Sequence, residues 1–391
     1  GGQDIVTNGG NVVMAGGAGT TLPTGYANGS TTAPGISFNY NSNILESFII
    51  NTTKAGSAGG NITLKGKTSG NFDGIFTSNV QFFGNNLILD GQTGGSSMYG
   101  VRLGSSAVYN GSNVSMVIDM DNDLTITAIN TAANYAGNAL RTGANPRIFA
   151  DGDITINSSG KLSYTSNQEF LNINPGKTLS VNYDGTASFT TSLGDPNGTV
   201  DQGNLVIQSF QQPSFTSAFS SSTWTFNSNL TGLTIGVPTN TADITMSTGA
   251  TIAGPVSIYG GNIIVDGNIN TSLGTTNGDV LLKASDDITL ATNKSITTDG
   301  GDVIFWSNSD GIGGADGYIL LRDGSSITTN LGHLWMGGGS GTNTWNGLTV
   351  GDGYATAGAS ISSDVFLGSN RADVRSGIYL ENTSIDTGGG N

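Results

Sequence analysis

Ile296 to Asn308 reads ITTDGGDVIFWSN, and the same phrase returns along the chain. Ile327 to Gly339 reads ITTNLGHLWMGGG, Ile5 to Gly17 reads IVTNGGNVVMAGG, and Ile385 to Asn391 reads IDTGGGN. Each copy runs from an apolar residue through two short polar residues to a glycine turn. An Asn, Asp or His follows, and then an alternating apolar strand. Self-similarity of this kind marks a structure made by stacking one small unit on itself.

The strand recurs without the full phrase. Asn61–Leu64, Asn86–Leu89, Asp123–Ile126, Asp153–Ile156, Asn204–Ile207, Asp243–Met246, Asn262–Val265, Asp279–Leu282, Asp287–Leu290 and Asp302–Phe305 each open on Asn or Asp. Period-two alternation turns one face inward, and Ile, Val and Thr suit a pleated, half-buried surface. Gly, Asn and Asp tolerate the left-handed backbone of a tight corner. Strands this short are not stable alone. Pairing each in parallel with its equivalent one turn later gives an all-β chain, a parallel β-helix or β-solenoid with glycine-rich corners. Period two predicts an inward stack that includes Val12, Ile62, Leu64, Ile154, Ile156, Ile263, Val265, Val280, Leu282, Ile288, Leu290, Val303, Leu334 and Met336. Helical signals are nearly absent; the best candidate is near Thr131–Ala139, and its glycine counts against it, while Pro146, Pro196, Pro213 and Pro238 fall outside the strand cores.

A longer match joins the two ends. Asn11–Thr20 parallels His333–Thr342, and both are followed by Gly-Tyr-Ala, at Gly25–Ala27 and Gly353–Ala355, and then by Gly-Ile, at Gly35–Ile36 and Gly377–Ile378. Residues 1–391 therefore read as one solenoid segment, a piece of a longer repetitive protein. The part from 128 to 233 is less regular, and its stretch Phe210–Phe226 reads as including a long loop or a lateral excursion.

Composition narrows the chemistry. Gly supplies 62 of 391 residues, charged residues are 10%, and the net charge is −15. The 13 Lys and Arg are scattered, with no basic stripe to neutralise phosphates, which argues against nucleic acid. With no Cys, disulfides, thiolate metal sites and Cys nucleophiles are excluded. No stretch approaches the ~18 apolar residues of a membrane-spanning helix, so membrane insertion is not expected.

The phrases GDVLLKASDDITL, ITTDGGDVIFW and GHLWMGGGSGT resemble the filamentous-haemagglutinin-like adhesins, large repetitive exoproteins of Gram-negative bacteria. The resemblance covers 273–391 and 1–70 and is weaker between. It implies a right-handed parallel β-helix, export across the outer membrane to the cell surface, and a role in attachment. It supplies no active-site residues.

Candidate chemistry is sparse. Asp119, Asp121 and Asp123 alternate, so three carboxylates could share a strand face around Ca²⁺. The helix–loop–helix calcium motif fails, since Leu124 and Asn130 stand where it needs Gly and Glu; the alternative is a solvated acidic edge. The loop Asn308–Gly317 is acidic and glycine-rich but lacks the calcium-roll pattern. Polysaccharide-cleaving β-helices need converging carboxylates. Glu occurs only at 46, 169 and 381, and neither Asp286 with Asp287 nor Asp299 with Asp302 has a convincing spacing. His333, the only histidine, replaces the Asn or Asp of the phrase and reads as a turn residue. Trp306 and Trp335 fall in matching strands, one residue apart in phase, and read as cover for the side of the solenoid. The expectation is a non-enzymatic extracellular rod displaying binding surfaces for glycans or proteins of host or neighbouring cells. A self-assembling subunit of a sheath, layer or fibre, its copies stacked end to end, is the alternative, and a carbohydrate-active enzyme the third reading.

Overall fold

The computed structural model describes residues 4–16, 25–38, 48–77, 80–104, 108–109, 112–113, 116–132, 138–142, 147–164, 173–184, 187–189, 203–211, 213–274, 278–312, 317–356 and 377–391. Within them the chain is all-β with long parallel sheets, and a three-residue 3-10 turn at Ser221–Thr223 is the one helical element. Two compact units divide it. One holds Gly1–Leu205, Ser209–Gln211 and Thr223–Thr225, and the other Val206–Gln208, Gln212–Ser222 and Phe226–Asn391.

In the N-terminal unit the chain visits three sheets in rotation. The first contains Ile5–Val6, Phe48–Asn51, Val80–Gly84, Val117–Met120 and Arg147–Ala150. The second contains Val12–Met14, Ile62–Thr68, Leu87–Thr93, Leu124–Asn130, Ile154–Ser158 and Thr178–Tyr183. The third contains Ile36–Phe38, Ile75–Thr77, Val101–Leu103, Asn138–Thr142, Lys161–Tyr164 and Ala187–Phe189. Each strand bonds in parallel to its counterpart one round later, the arrangement compatible with a β-solenoid. The C-terminal unit repeats the scheme. Its rounds run Val256–Gly260, Ile263–Val265, Ile269–Asn270; then Val280–Ala284, Ile288–Leu290, Ser295–Thr297; then Val303–Ser307, Ile319–Leu321, Ser326–Thr328.

Register makes columns of like residues inside each unit. Val256, Val280 and Val303 stack, as do Ile258, Leu282 and Phe305, and Ile269, Ile296 and Ile327; all are fully buried. Burying each such side chain stabilises by about 1.5–3 kcal/mol. All ten Asn/Asp-opened strands of the sequence reading are present. Of the expected inward stack, every residue is buried except Leu334 and Met336, which are half-buried. Their strand packs on Val303–Ser307, and no further parallel strand among the described residues covers the other side. Thr131–Ala139 is not helical where it is described, since Ala139 belongs to the strand Asn138–Thr142. Pro213 and Pro238 lie outside strands, whereas Pro146 and Pro196 lie outside the described residues.

The repeated phrase is a corner held by hydroxyl bonds. The threonine hydroxyl donates to the carbonyl three residues on, from Thr298 to Gly301 at 2.5 Å and from Thr387 to Gly390 at 2.8 Å, and likewise from Thr7 to Gly10 and Thr329 to Gly332. The residue before that last glycine has positive φ in every copy: Gly9 at 97°, Gly300 at 80°, Leu331 at 86° and Gly389 at 114°. Leucine is strained there, and Leu331 is 67% exposed, so it gains little packing in return. We expect Leu331→Gly to raise stability by about 1 kcal/mol. A urea midpoint at or below that of the parent would show that the strain is absent.

The longer match between the ends is also structural. Gly16 bridges antiparallel to Gly25, and Gly338 pairs antiparallel with Gly353, so in each case the glycine that opens Gly-Tyr-Ala pairs back on the glycine-rich run that follows the strand.

Candidate functional site

The Asn or Asp that opens a strand does more than turn a corner. Its side-chain oxygen accepts a hydrogen bond from the next round. In the N-terminal unit Asn11 Oδ1 takes the Asn61 amide at 2.8 Å, and Asn61 Oδ1 takes Asn86 Nδ2 at 2.8 Å. Asn86 Oδ1 takes the Asp123 amide at 3.0 Å, Asp123 Oδ1 the Asp153 amide at 2.9 Å, and Asp153 Oδ1 the Thr178 amide at 2.8 Å. Beside this ladder runs an outward row in register, Val13, Thr63, Ile88, Thr125 and Thr155. Ladder and row together line a groove of about 360 Å³ formed by Asn11, Val13, Asn61, Thr63, Asn86, Leu87, Ile88, Asp123 and Thr125. Val13 is 37% and Ile88 39% exposed. Amides on one side and methyl groups on the other suit a ligand that carries both hydroxyls and apolar faces. Asp123, the groove's one carboxylate, is already engaged by the ladder.

The neighbouring outward row is Lys65, Asp90, Thr127, Asn157 and Asn182. Tyr26 lies over its start and donates its hydroxyl to Asp90 Oδ2 at 2.8 Å, with Lys65 Nζ 3.9 Å from the same oxygen. Burial, then the Asp90 bond and charge, push the Tyr26 phenol up to about 12.

In the C-terminal unit the ladder runs Asp279, Asp302, His333, Asn391. Asp279 Oδ1 takes the Asp302 amide at 2.8 Å, Asp302 Oδ1 the His333 amide at 2.6 Å, and His333 Nδ1 the Asn391 amide at 3.0 Å. His333 thus does an aspartate's structural task with an imidazole acceptor. A second ladder links Asp243, Asn262 and Asp287 to the Tyr318 amide. Asp287 and Asp302, weighed from the sequence as catalytic carboxylates, are both ladder acceptors. The antiparallel hairpin Leu334–Trp345 and Leu348–Gly353 folds over the outer face, where Val350 packs on Ile304 and Trp306. Trp306 is 3% exposed and donates Nε1 to Gly339 O at 2.7 Å, while Lys283 Nζ sits 3.7 Å from its ring. Burial lowers the Lys283 pKa. The strand register corrects the aromatic phase. Trp335 pairs with Ile304 and Trp306 with Gly337, so the two are two positions apart and share the outward face.

Asp119, Asp121 and Asp123 are all exposed, but they belong to different elements. Asp119 closes the outer face of Val117–Met120, Asp121 lies in the following turn, and Asp123 is the ladder residue. Among the described residues no group of three or more His, Asp or Glu side chains is placed to hold a metal ion. The neighbour that sequence did not show is Asp151, one round on from Asp121, because Met120 pairs with Ala150. Although the side chain is exposed, partial burial of its carboxyl, then Asp121 and Asp151, hold Asp119 above its usual value of 3.8. Burial likewise raises Asp279 and Asp73. A carboxyl with a higher pKa folded than unfolded binds more proton in the folded state. Stability therefore rises as pH falls through the raised values and levels off near the ordinary one. We expect the melting temperature to climb from pH 7 towards pH 4.5, and Asp119→Asn to melt higher than the parent at pH 7 and to climb less. A melting temperature that falls across this window in the parent contradicts the assignment.

No protein-family model, curated protein or solved structure matches the chain. Among the described residues no helix is long and apolar enough to cross a membrane.

Proposed function

We propose that the chain is a segment of a right-handed parallel β-solenoid, a non-enzymatic part of a bacterial surface adhesin whose outward sheet faces bind glycans or proteins of other cells. One observation carries the reading: the groove of Asn11, Asn61, Asn86 and Asp123 beside Val13, Thr63, Ile88 and Thr125 is built by the stacking itself, and it offers hydrogen-bonding and apolar contact without a converging pair of acids. Such a face repeats with each round, and weak contacts made by many rounds add through effective concentration. The resemblance of the repeated phrases to the large repetitive adhesins supports the same reading. Adhesion of the purified chain to glycan- and protein-coated surfaces tests it. Ile88→Arg with Thr125→Arg should cut attachment about tenfold, or about 1.4 kcal/mol, with the melt unchanged. A chain that holds to none of these surfaces, or that cleaves a glycan it binds, sinks the reading.

A second reading, a self-assembling subunit, is favoured by one feature. Ile378, Leu380 and Ile385 pair in register with the buried Ile319, Leu321 and Ile327, yet are 40%, 47% and 39% exposed. Among the described residues their strands are outermost in their sheets, and another round stacked on them would cover an apolar layer. Concentration-dependent sedimentation that disappears in Ile378→Asn with Leu380→Asn supports it, and a monomer at all concentrations refutes it.

A further inference from the structure

The N-terminal unit brings two arginines together on the outside of its third sheet. Phe76, Arg102 and Arg141 pair in register on three successive strands, Ile75–Thr77, Val101–Leu103 and Asn138–Thr142. Neighbouring strands lie about 4.8 Å apart, and like charges directly opposite each other across a strand pair are destabilising. The chain has only 13 Lys and Arg against a net charge of −15, so a pair at this spacing runs against its general charge balance.

Aromatic rings hold the pair. Tyr99 lies close to both guanidinium groups. Arg141 Nη1 donates to its hydroxyl at 2.9 Å, and the Arg141 and Arg102 guanidinium carbons lie 5.4 and 6.0 Å from its ring centre. The Arg102 guanidinium also lies 5.0 Å from the Phe76 ring centre. Asp73, 6% exposed, accepts the Tyr99 amide at 3.0 Å and sits 3.9 Å from Arg102 Nη1. One carboxylate thus faces two guanidinium groups, and its closest polar contact is to a backbone amide. Both arginines and both rings remain half-exposed. Fixed guanidinium forks recognise carboxylates by two parallel hydrogen bonds, and partly exposed rings take the apolar faces of sugars.

We infer that Arg102 and Arg141, with Tyr99 and Phe76, form a binding site for a carboxylate-bearing sugar, a uronate residue of an acidic polysaccharide. The inference gives the adhesive reading a ligand class, and it rests on that reading only for where the ligand is met. Arginine supplies the carboxylate contact, the rings supply the ring contact, and Asp73 sets the orientation of Tyr99.

Calorimetry of the whole chain with oligogalacturonate, and with the same oligomer methyl-esterified to remove its charge, tests the site. Binding to the acid form at least tenfold tighter than to the ester is expected. Arg102→Gln and Arg141→Gln should each weaken the acid form at least tenfold and leave any ester binding unchanged. Arg141→Lys keeps the charge and loses the fork, so an intermediate loss is expected, and it serves if a glutamine variant fails to fold. Arg322→Gln, in the other unit, should bind as the parent does. Equal affinity for acid and ester, or acid binding untouched by any Arg102 or Arg141 variant, overturns the inference. A chain that adheres to cells but ignores oligogalacturonate keeps the adhesive reading and loses this site. One that binds oligogalacturonate through Arg102 and Arg141 without adhering keeps the site and loses the adhesive reading.

Discussion

Leu282→Asp is expected to abolish the cooperative melt of the C-terminal unit near room temperature. Leu282 is fully buried and stacks between Ile258 and Phe305. Removing the leucine side chain costs about 2–5 kcal/mol in lost contacts and cavity. The aspartate adds a carboxylate with no partner in the apolar column, which must either stay protonated or open the stack. Together these approach the whole stability of a small unit, about 5–15 kcal/mol. The control is Ile264→Asp on a neighbouring strand. Ile264 is 39% exposed between the buried Ile263 and Val265, so its replacement should shift stability by less than about 1 kcal/mol. Equal melts for Leu282→Asp and the parent would place Leu282 on the outside and invert the inward assignment of its strand.

Gly332→Ala is expected to be nearly as damaging, for a reason unconnected with hydrophobicity. A Cβ at Gly332 would lie 2.0 Å from the Gly301 carbonyl oxygen and 2.6 Å from its carbon. Those are backbone atoms one round away, and the ladder bond from the His333 amide to Asp302 fixes the spacing between them. The added methyl must force the rounds apart, costing roughly 3 kcal/mol or more. Gly10 holds the same place in the first copy of the phrase, and the atoms nearest a Cβ there belong to Thr7, at ordinary contact distances of 3.4 Å and beyond. Gly10→Ala should therefore be close to neutral. Two similar denaturation midpoints would show that the phrase's glycines do not mark close backbone stacking.

Sequence revealed the strands that open on Asn or Asp and then alternate, because both signals are local. It aligned Ile296 with Ile327 as the first residue of the phrase but placed neither of them, nor Ile269, in the inward stack, because their strands are two or three residues long, too short to alternate. In the N-terminal unit the column Ile50, Phe82, Ile118 and Ile148 was hidden for another reason, since of those strands only Val80–Gly84 follows directly on an Asn, Asn79, and the others open on no Asn or Asp. The ladder bonds were half-legible. The residue type was plain, but a side chain that turns its own corner and one that accepts from the next round look alike until register is known. Register also separates the two outcomes for charged residues. It engages Asp123 in the ladder, away from Asp119, and it makes neighbours of Arg102 and Arg141, which read as scattered cations along the chain.

The claim beneath all of this is that the chain is a stack of interchangeable rounds, and a deletion tests it most directly. Removing Val280–Asp302 takes out one whole round and joins Asp279 to Val303. That leaves Val256 to meet Val303, Ile263 to meet Ile319 and Ile269 to meet Ile327, with every column of like residues intact. Removing Val280–Leu290 alone takes out two strands of three and sets unlike strands against one another. Stability that sums over neighbouring repeats predicts that the full-round deletion keeps the β circular-dichroism spectrum and a cooperative melt, while the partial deletion loses both. If the two deletions unfold the protein equally, the rounds are not interchangeable and the stacked-repeat account is wrong.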